Sequence, residues 1–159
     1  MKEKSIIENT VESLFDKMKC PYEKRGRLFE LKAKEEQATF RYEIVADDEH
    51  ANLVVIGHFP VPVPKTSRAR MYKYISEQNN DNLVGVFVID SDDGELTFRI
   101  TNSVYGCTFD EEHVKYCIGL VSYTLSYKYE DIMKEMFCGP QVVFTFGGKE
   151  NPDNQGKQV

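Results

Sequence analysis

The spacing of apolar side chains changes period along this chain, and that change is the tightest constraint on what it can fold into. Ile7, Val11, Leu14, Phe15 and Met18 recur at three- and four-residue steps, the repeat of one helix face. Ala38, Phe40, Tyr42 and Ile44 instead alternate with Thr39, Arg41 and Glu43, as a half-buried strand does. Helical spacing returns in Val114, Ile118, Val121, Leu125, Tyr129, Ile132 and Met136. Strands framed by helices follow from these three stretches alone.

Local signals place the boundaries. Ser5 is a cap residue for a first helix over about residues 6–19, which Pro21 ends. A short run at Leu28, Phe29 and Leu31 opens a strand region that reaches Phe59, interrupted by a polar turn at residues 46–50. Residues 53–59 and 84–89 are apolar at both alternating positions, so both are expected to be interior strands. Pro60, Pro62 and Pro64 lead into a basic helix over about residues 65–79, with Met71, Tyr74, Ile75 and Gln78 on one side. A hairpin joins residues 85–90 to 95–100, and Gly94 supplies the left-handed position of its loop. Asp110, Glu111 and Glu112 cap a long last helix that Gly139 and Pro140 end. The expected fold class is α+β: an antiparallel sheet of about five strands with three helices, in the order α-β-β-β-α-β-β-α. Residues 1–139 form the domain, and residues 140–159 form a C-terminal tail with a short strand at 142–146.

Composition agrees with this and narrows the function. A length of 159 residues, 41% apolar, suits one domain with a real core, and ten Phe and nine Tyr exclude disorder over most of the chain. The net charge of -6 argues against a protein that coats nucleic acid. That charge is divided: residues 65–80 carry a net of +3, whereas residues 81–113 carry -7. Such opposite poles suit the orientation of a protein partner. No apolar run is long enough for a secretory signal or a membrane span, so a cytoplasmic protein is expected. Cys20, Cys107, Cys117 and Cys138 are widely spaced and are read as free thiols.

In the middle of the chain, Tyr74 and Ile75 precede Asn79, and Gly85, Phe87, Asp90, Gly94, Glu95 and Arg99 follow. With these residues, positions 71–100 resemble the YbjN family, a group described as candidate bacterial sensory transduction regulators. The resemblance implies a type III secretion chaperone-like fold over residues 1–139 and a non-enzymatic protein-binding module. It also implies a homodimer, as in the chaperone relatives. It brings no catalytic residue and no cofactor.

Three constellations have residue types that suit chemistry. Residues 90–95 are rich in carboxylates, but placing Gly94 at the sixth position of a calcium loop puts Ile89 first and Ile100 twelfth, where ligands are required. The segment therefore reads as a solvated hairpin tip. Cys107, His113 and Cys117 make a C-x5-H-x3-C arrangement that lacks a nearby fourth zinc ligand, or an orienting group if Cys and His were nucleophile and base. A Cys/His-based enzyme or metal protein is thus an alternative to the binding module. The basic helix over residues 65–75, with Lys65, Arg68, Arg70 and Lys73 as candidate contacts, gives a further alternative, a nucleic-acid-binding regulator. For the leading reading the candidate partner interface is Met71, Tyr72, Tyr74 and Ile75 on that helix and Tyr116, Tyr123 and Tyr127 on the last one.

Overall fold

The computed structural model describes residues 5–139. Helix α1 spans Ile6–Met18. Ser5 Oγ accepts from the Glu8 N–H at 3.2 Å and Asp48 Oδ1 from the Ile7 N–H at 3.1 Å, so two of the unpaired donors at the helix start are satisfied. Lys19, in the left-handed region at φ 51°, closes the other end. The helix buries Ile7, Val11, Leu14 and Phe15, the face its spacing marks out.

Among the described residues, six strands form one antiparallel sheet: β1 (Glu23–Arg25), β2 (Leu28–Lys34), β3 (Thr39–Asp47), β4 (Asn52–His58), β5 (Val86–Ile89) and β6 (Leu96–Ser103). Their spatial order is β1-β2-β3-β4-β6-β5. The sixth strand, β1, exceeds the expected five. Its three residues are all charged and exposed, so no apolar pattern announces it.

Of the two runs expected inside the sheet, only β4 is interior. β5 is an edge strand, and Val86 and Val88 each stay 39% exposed. What occupies its free edge is a side chain: Asn79 Oδ1 accepts from the Phe87 N–H at 2.7 Å, and Asn79 Nδ2 donates to the Phe87 carbonyl at 3.0 Å. One amide thereby stands in for a neighbouring strand and blunts the edge. Asn79→Ala should destabilise the domain by about 2 kcal/mol, from two lost hydrogen bonds to backbone. Urea denaturation measures this, and Asn79→Asp should recover only the half that accepts.

The helices share one face of the sheet. A short 3-10 turn at Lys65–Ser67 precedes α2 (Arg68–Asp81), which runs two residues past its expected end, and α3 spans Glu111–Phe137. Register sets Tyr42, Gly57, Phe98 and Phe87 in one row across β3, β4, β6 and β5, and Ile44, Val55 and Ile100 in the next. These residues are buried together with Val114, Cys117, Val121, Leu125, Ile132 and Met136 of α3. Arg70 and Ser67 fasten α2 to the end of α3. Arg70 Nε and Nη2 donate to the Glu135 carbonyl at 2.9 and 2.7 Å, and Ser67 Oγ donates to the Met136 carbonyl at 2.6 Å. A guanidinium at a helix C-terminus meets carbonyls that have no partner within the helix. The strand expected at residues 142–146 lies outside the described residues.

Candidate functional site

Among the described residues, no helix lies on the second face of the sheet. Alternation directs Val45 of β3, Val54 and Ile56 of β4, Arg99 of β6, and Val86 and Val88 of β5 away from the core. Val54 pairs with Val45, Ile56 lies between Glu43 and Arg99, and Arg99 pairs with Val86. An apolar strip of Val45, Val54 and Ile56 thus lies on β3 and β4, and Thr97, Arg99 and Thr101 of β6 separate it from the half-exposed valines of the edge. Leu83 and Val84, 100% and 51% exposed, continue the edge valines just before β5.

Beside this strip lies an ionic cluster. Arg41 Nη1 donates to Glu43 at 2.6 Å and to Glu30 at 3.3 Å, and Arg41 Nη2 donates to Glu95 at 2.8 Å. His58 is buried beneath them, with Nδ1 at 2.8 Å from both Arg41 Nη2 and Glu95 Oε1. A guanidinium only donates and a carboxylate only accepts, so Nδ1 can bond to one of them at a time. Nε2 lies 3.4 Å from Glu43 Oε2, within ion-pair range, but the alignment makes no hydrogen bond and leaves it buried without a partner. Three carboxylates around one guanidinium make the cluster net negative. Next to it, a cleft of about 500 Å³ at the β1–β2 edge shares Glu30 and Arg41 in its wall.

Burial opposes ionisation of Glu95, yet the hydrogen bonds and charges of His58 and Arg41 outweigh it and hold the carboxyl below its ordinary value of 4.5. A depressed carboxyl stabilises the fold fully above pH about 4.5, and this contribution disappears as pH falls through the lower, folded value. Denaturation at successive pH values from 6 down to about 3 should show that loss, and Glu95→Gln should lose less over the same window.

The structure separates the residues proposed from sequence. Tyr116, Tyr123 and Tyr127 stand 64%, 65% and 67% exposed on α3, and Tyr72 is exposed on α2. Met71 and Ile75 are core residues beneath α2, out of reach of a partner. Tyr74 packs between α2 and α3: burial, followed by Asp131 and Glu135, pushes its phenol up to about 12. Among the basic residues, Arg70 caps α3, and Arg68 Nη1 donates to the Ser91 carbonyl at 2.8 Å. Lys65 and Lys73 are exposed, and Lys73 lies 4.0 Å from Glu77. Half of the apparent basic face is thus turned to internal carbonyls.

The Cys/His constellation does not converge. Cys107 is exposed, whereas Cys117 is buried in the core, where burial raises its thiol pKa against the smaller effect of the Asn102 hydrogen bond. The His113 ring packs on Phe109. Among the described residues, Cys107, His113 and Cys117 do not bring three ligand atoms within 4.8 Å of one another. Asp47, Glu49 and His50 do so, at an exposed turn. No described helix is long and apolar enough to cross a membrane.

The ionic cluster escaped sequence reading because its members are far apart, with Arg41 and Glu95 separated by 54 positions. The available signal was polar: Glu30, Arg41 and Glu43 all occupy outward positions of their strands, but their convergence with His58 needs the register.

No protein-family model and no curated protein matches the chain. Among solved structures it is similar to the crystal structure of "YbjN, a putative transcription regulator from E. coli", with a TM-score of 0.55 and 12% identity. The match covers 78% of this chain and 92% of that one. At this identity the likeness concerns architecture, and with three helices on one face of an open antiparallel sheet, this chain has a YbjN-like α+β fold.

Proposed function

We propose that this chain is a non-enzymatic protein-binding module, chaperone-like or regulatory, whose receiving surface is the open face of the sheet. The observation that carries this reading is the strip of Val45, Val54 and Ile56, over which no described helix lies, beside the Arg41–Glu43–Glu95 cluster and across β6 from the half-exposed Val86 and Val88. An apolar sheet face is most readily covered by a helix, as this chain's own three helices cover the other side. Strand addition is disfavoured at both edges, by the Asn79 amide at β5 and by three charged residues at β1. The partner therefore presents an amphipathic helix, with apolar residues for the strip and charges that the ionic cluster orients.

Affinity capture from the native host with the full chain tests this, by comparing wild type with Ile56→Lys/Val88→Lys. A partner retained by wild type and lost by the face variant, at equal thermal stability of the two baits, supports the reading. An identical set of retained proteins on both baits rules the face out.

A further inference from the structure

We infer that two copies of this chain pair through α3, antiparallel, with the two helices closest at Gly119. This surface lies on the far side of the helix layer from the open sheet face, so it does not depend on that face binding a partner.

The outward stripe of α3 runs through Glu112, Tyr116, Gly119, Tyr123 and Tyr127, at steps of four, three, four and four residues. Tyr123 and Tyr127 stack in solvent with centroids 5.7 Å apart and planes 13° apart, and Lys128 Nζ lies 5.5 Å from the Tyr127 ring. Between the tyrosines, Gly119 is exposed, and a Cβ added there would meet nothing within 4 Å. Its φ is not positive, so among the described residues neither backbone nor packing calls for glycine. Inside an exposed helix glycine is destabilising relative to alanine. A notch between two large rings is, however, what a second helix needs in order to approach closely.

The stripe is self-complementary in one orientation. A two-fold axis passing between Gly119 and Leu120 sets Tyr116 against the partner's Tyr123, and Glu112 against the partner's Tyr127 and Lys128. Glu112 Oε1 is held by Lys115 of its own chain at 2.6 Å, so its other carboxylate oxygen is the one that accepts from the partner's phenol and faces the partner's ammonium. Parallel pairing would instead place Glu112 against Glu112. Each contact occurs twice, as a two-fold interface requires. The three rings are two-thirds exposed and offer about 400 Å² per copy, taking about 200 Å² for a whole tyrosine. That is roughly half of the ~800 Å² per partner of a standard interface, so the dimer belongs to the weak, reversible class.

Sedimentation velocity of the full chain from about 1 to about 500 µM reads this directly. The expected result is a monomer–dimer equilibrium that Gly119→Leu and Tyr123→Ala each weaken at least about 10-fold. Gly119→Ala should raise the midpoint of thermal unfolding, which shows that the position tolerates a side chain in the fold. In a Cys107→Ser/Cys138→Ser background, Gly119→Cys should form a disulfide-linked dimer on mild oxidation. A monomer throughout the range overturns the inference, and so does a dimer that neither Gly119→Leu nor Tyr123→Ala weakens. The sheet-face variant Ile56→Lys/Val88→Lys should leave the dimer unchanged. If that variant alone abolishes it, copies pair through the sheet and the α3 interface is wrong.

Discussion

Gly57→Val should destabilise this domain by about 3 kcal/mol, the upper end of what overpacking a core costs. The reason is the way α3 lies on β4. A Cβ at position 57 would stand 2.5 Å from Leu125 Cδ1 and 2.6 Å from Val121 Cγ1, separations that real side chains do not reach. Both leucine and valine belong to the buried stripe of α3, so neither can turn away into solvent. The helix must lift, and the row of Tyr42, Gly57 and Phe98 beneath it must loosen. Denaturation in urea measures the change, and Gly57→Ala should fall about halfway. An effect within about 0.5 kcal/mol for the valine variant, the range of ordinary surface substitutions, would mean that α3 does not seat on β4 at this point.

The second large effect is expected at Gly94, in the loop between β5 and β6. Its φ of +82° lies in the left-handed region, and a Cβ would stand 2.5 Å from the Val63 carbonyl oxygen and 2.8 Å from Arg68 Nη2. The backbone alone penalises an L side chain there by about 1–2 kcal/mol. Collision with a fixed carbonyl raises the expected cost of Gly94→Ala to about 3 kcal/mol. The collision also strikes a clasp. The Val63 N–H donates to the Gly94 carbonyl at 2.8 Å, which ties the proline-rich segment before α2 to the hairpin loop. Glu95 follows directly, so the variant should also shift the His58 ring resonances. An alanine variant as stable as wild type, with His58 unmoved, would show that the clasp does not form.

Much of this fold was legible because its signals are local. Ser5 caps α1, Asp110 accepts from the His113 N–H at 3.0 Å at the start of α3, and Gly94 takes the left-handed turn position, each as its residue type requires. Period alone distinguished helix from strand in α1, β3 and α3. The interior or edge position of a strand was not local. Residues 84–89 are apolar on both sides, which reads as burial, yet the strand stops the sheet because a helix side chain, Asn79, takes the place of a seventh strand. The basic helix misled for a similar reason. Arg68 and Arg70 have the composition of an anion-binding face, but their guanidinium groups are directed to main-chain carbonyls of the hairpin loop and of α3. The tyrosines of α3 fall outside its apolar repeat, whereas Met71 and Ile75, which the interface reading joins to Tyr72, have a spacing that also suits the core they occupy. Nothing local joined Arg41 to His58 and Glu95. That convergence is a product of strand order and register, and it is what gives the open face its charge.

The central claim is that a partner covers the open sheet face, and methyl NMR tests it most directly. Ile56 and Val88 point outward, whereas Ile44 and Ile132 are fully buried on the helix side of the same sheet. With the full chain labelled at isoleucine and valine methyls, addition of a captured partner should shift or broaden Ile56, Val54 and Val88 while Ile44 and Ile132 hold their positions. Perturbation confined to methyls beneath α2 and α3, with Ile56 and Val88 unmoved at saturation, would contradict the account and place the partner on the helices.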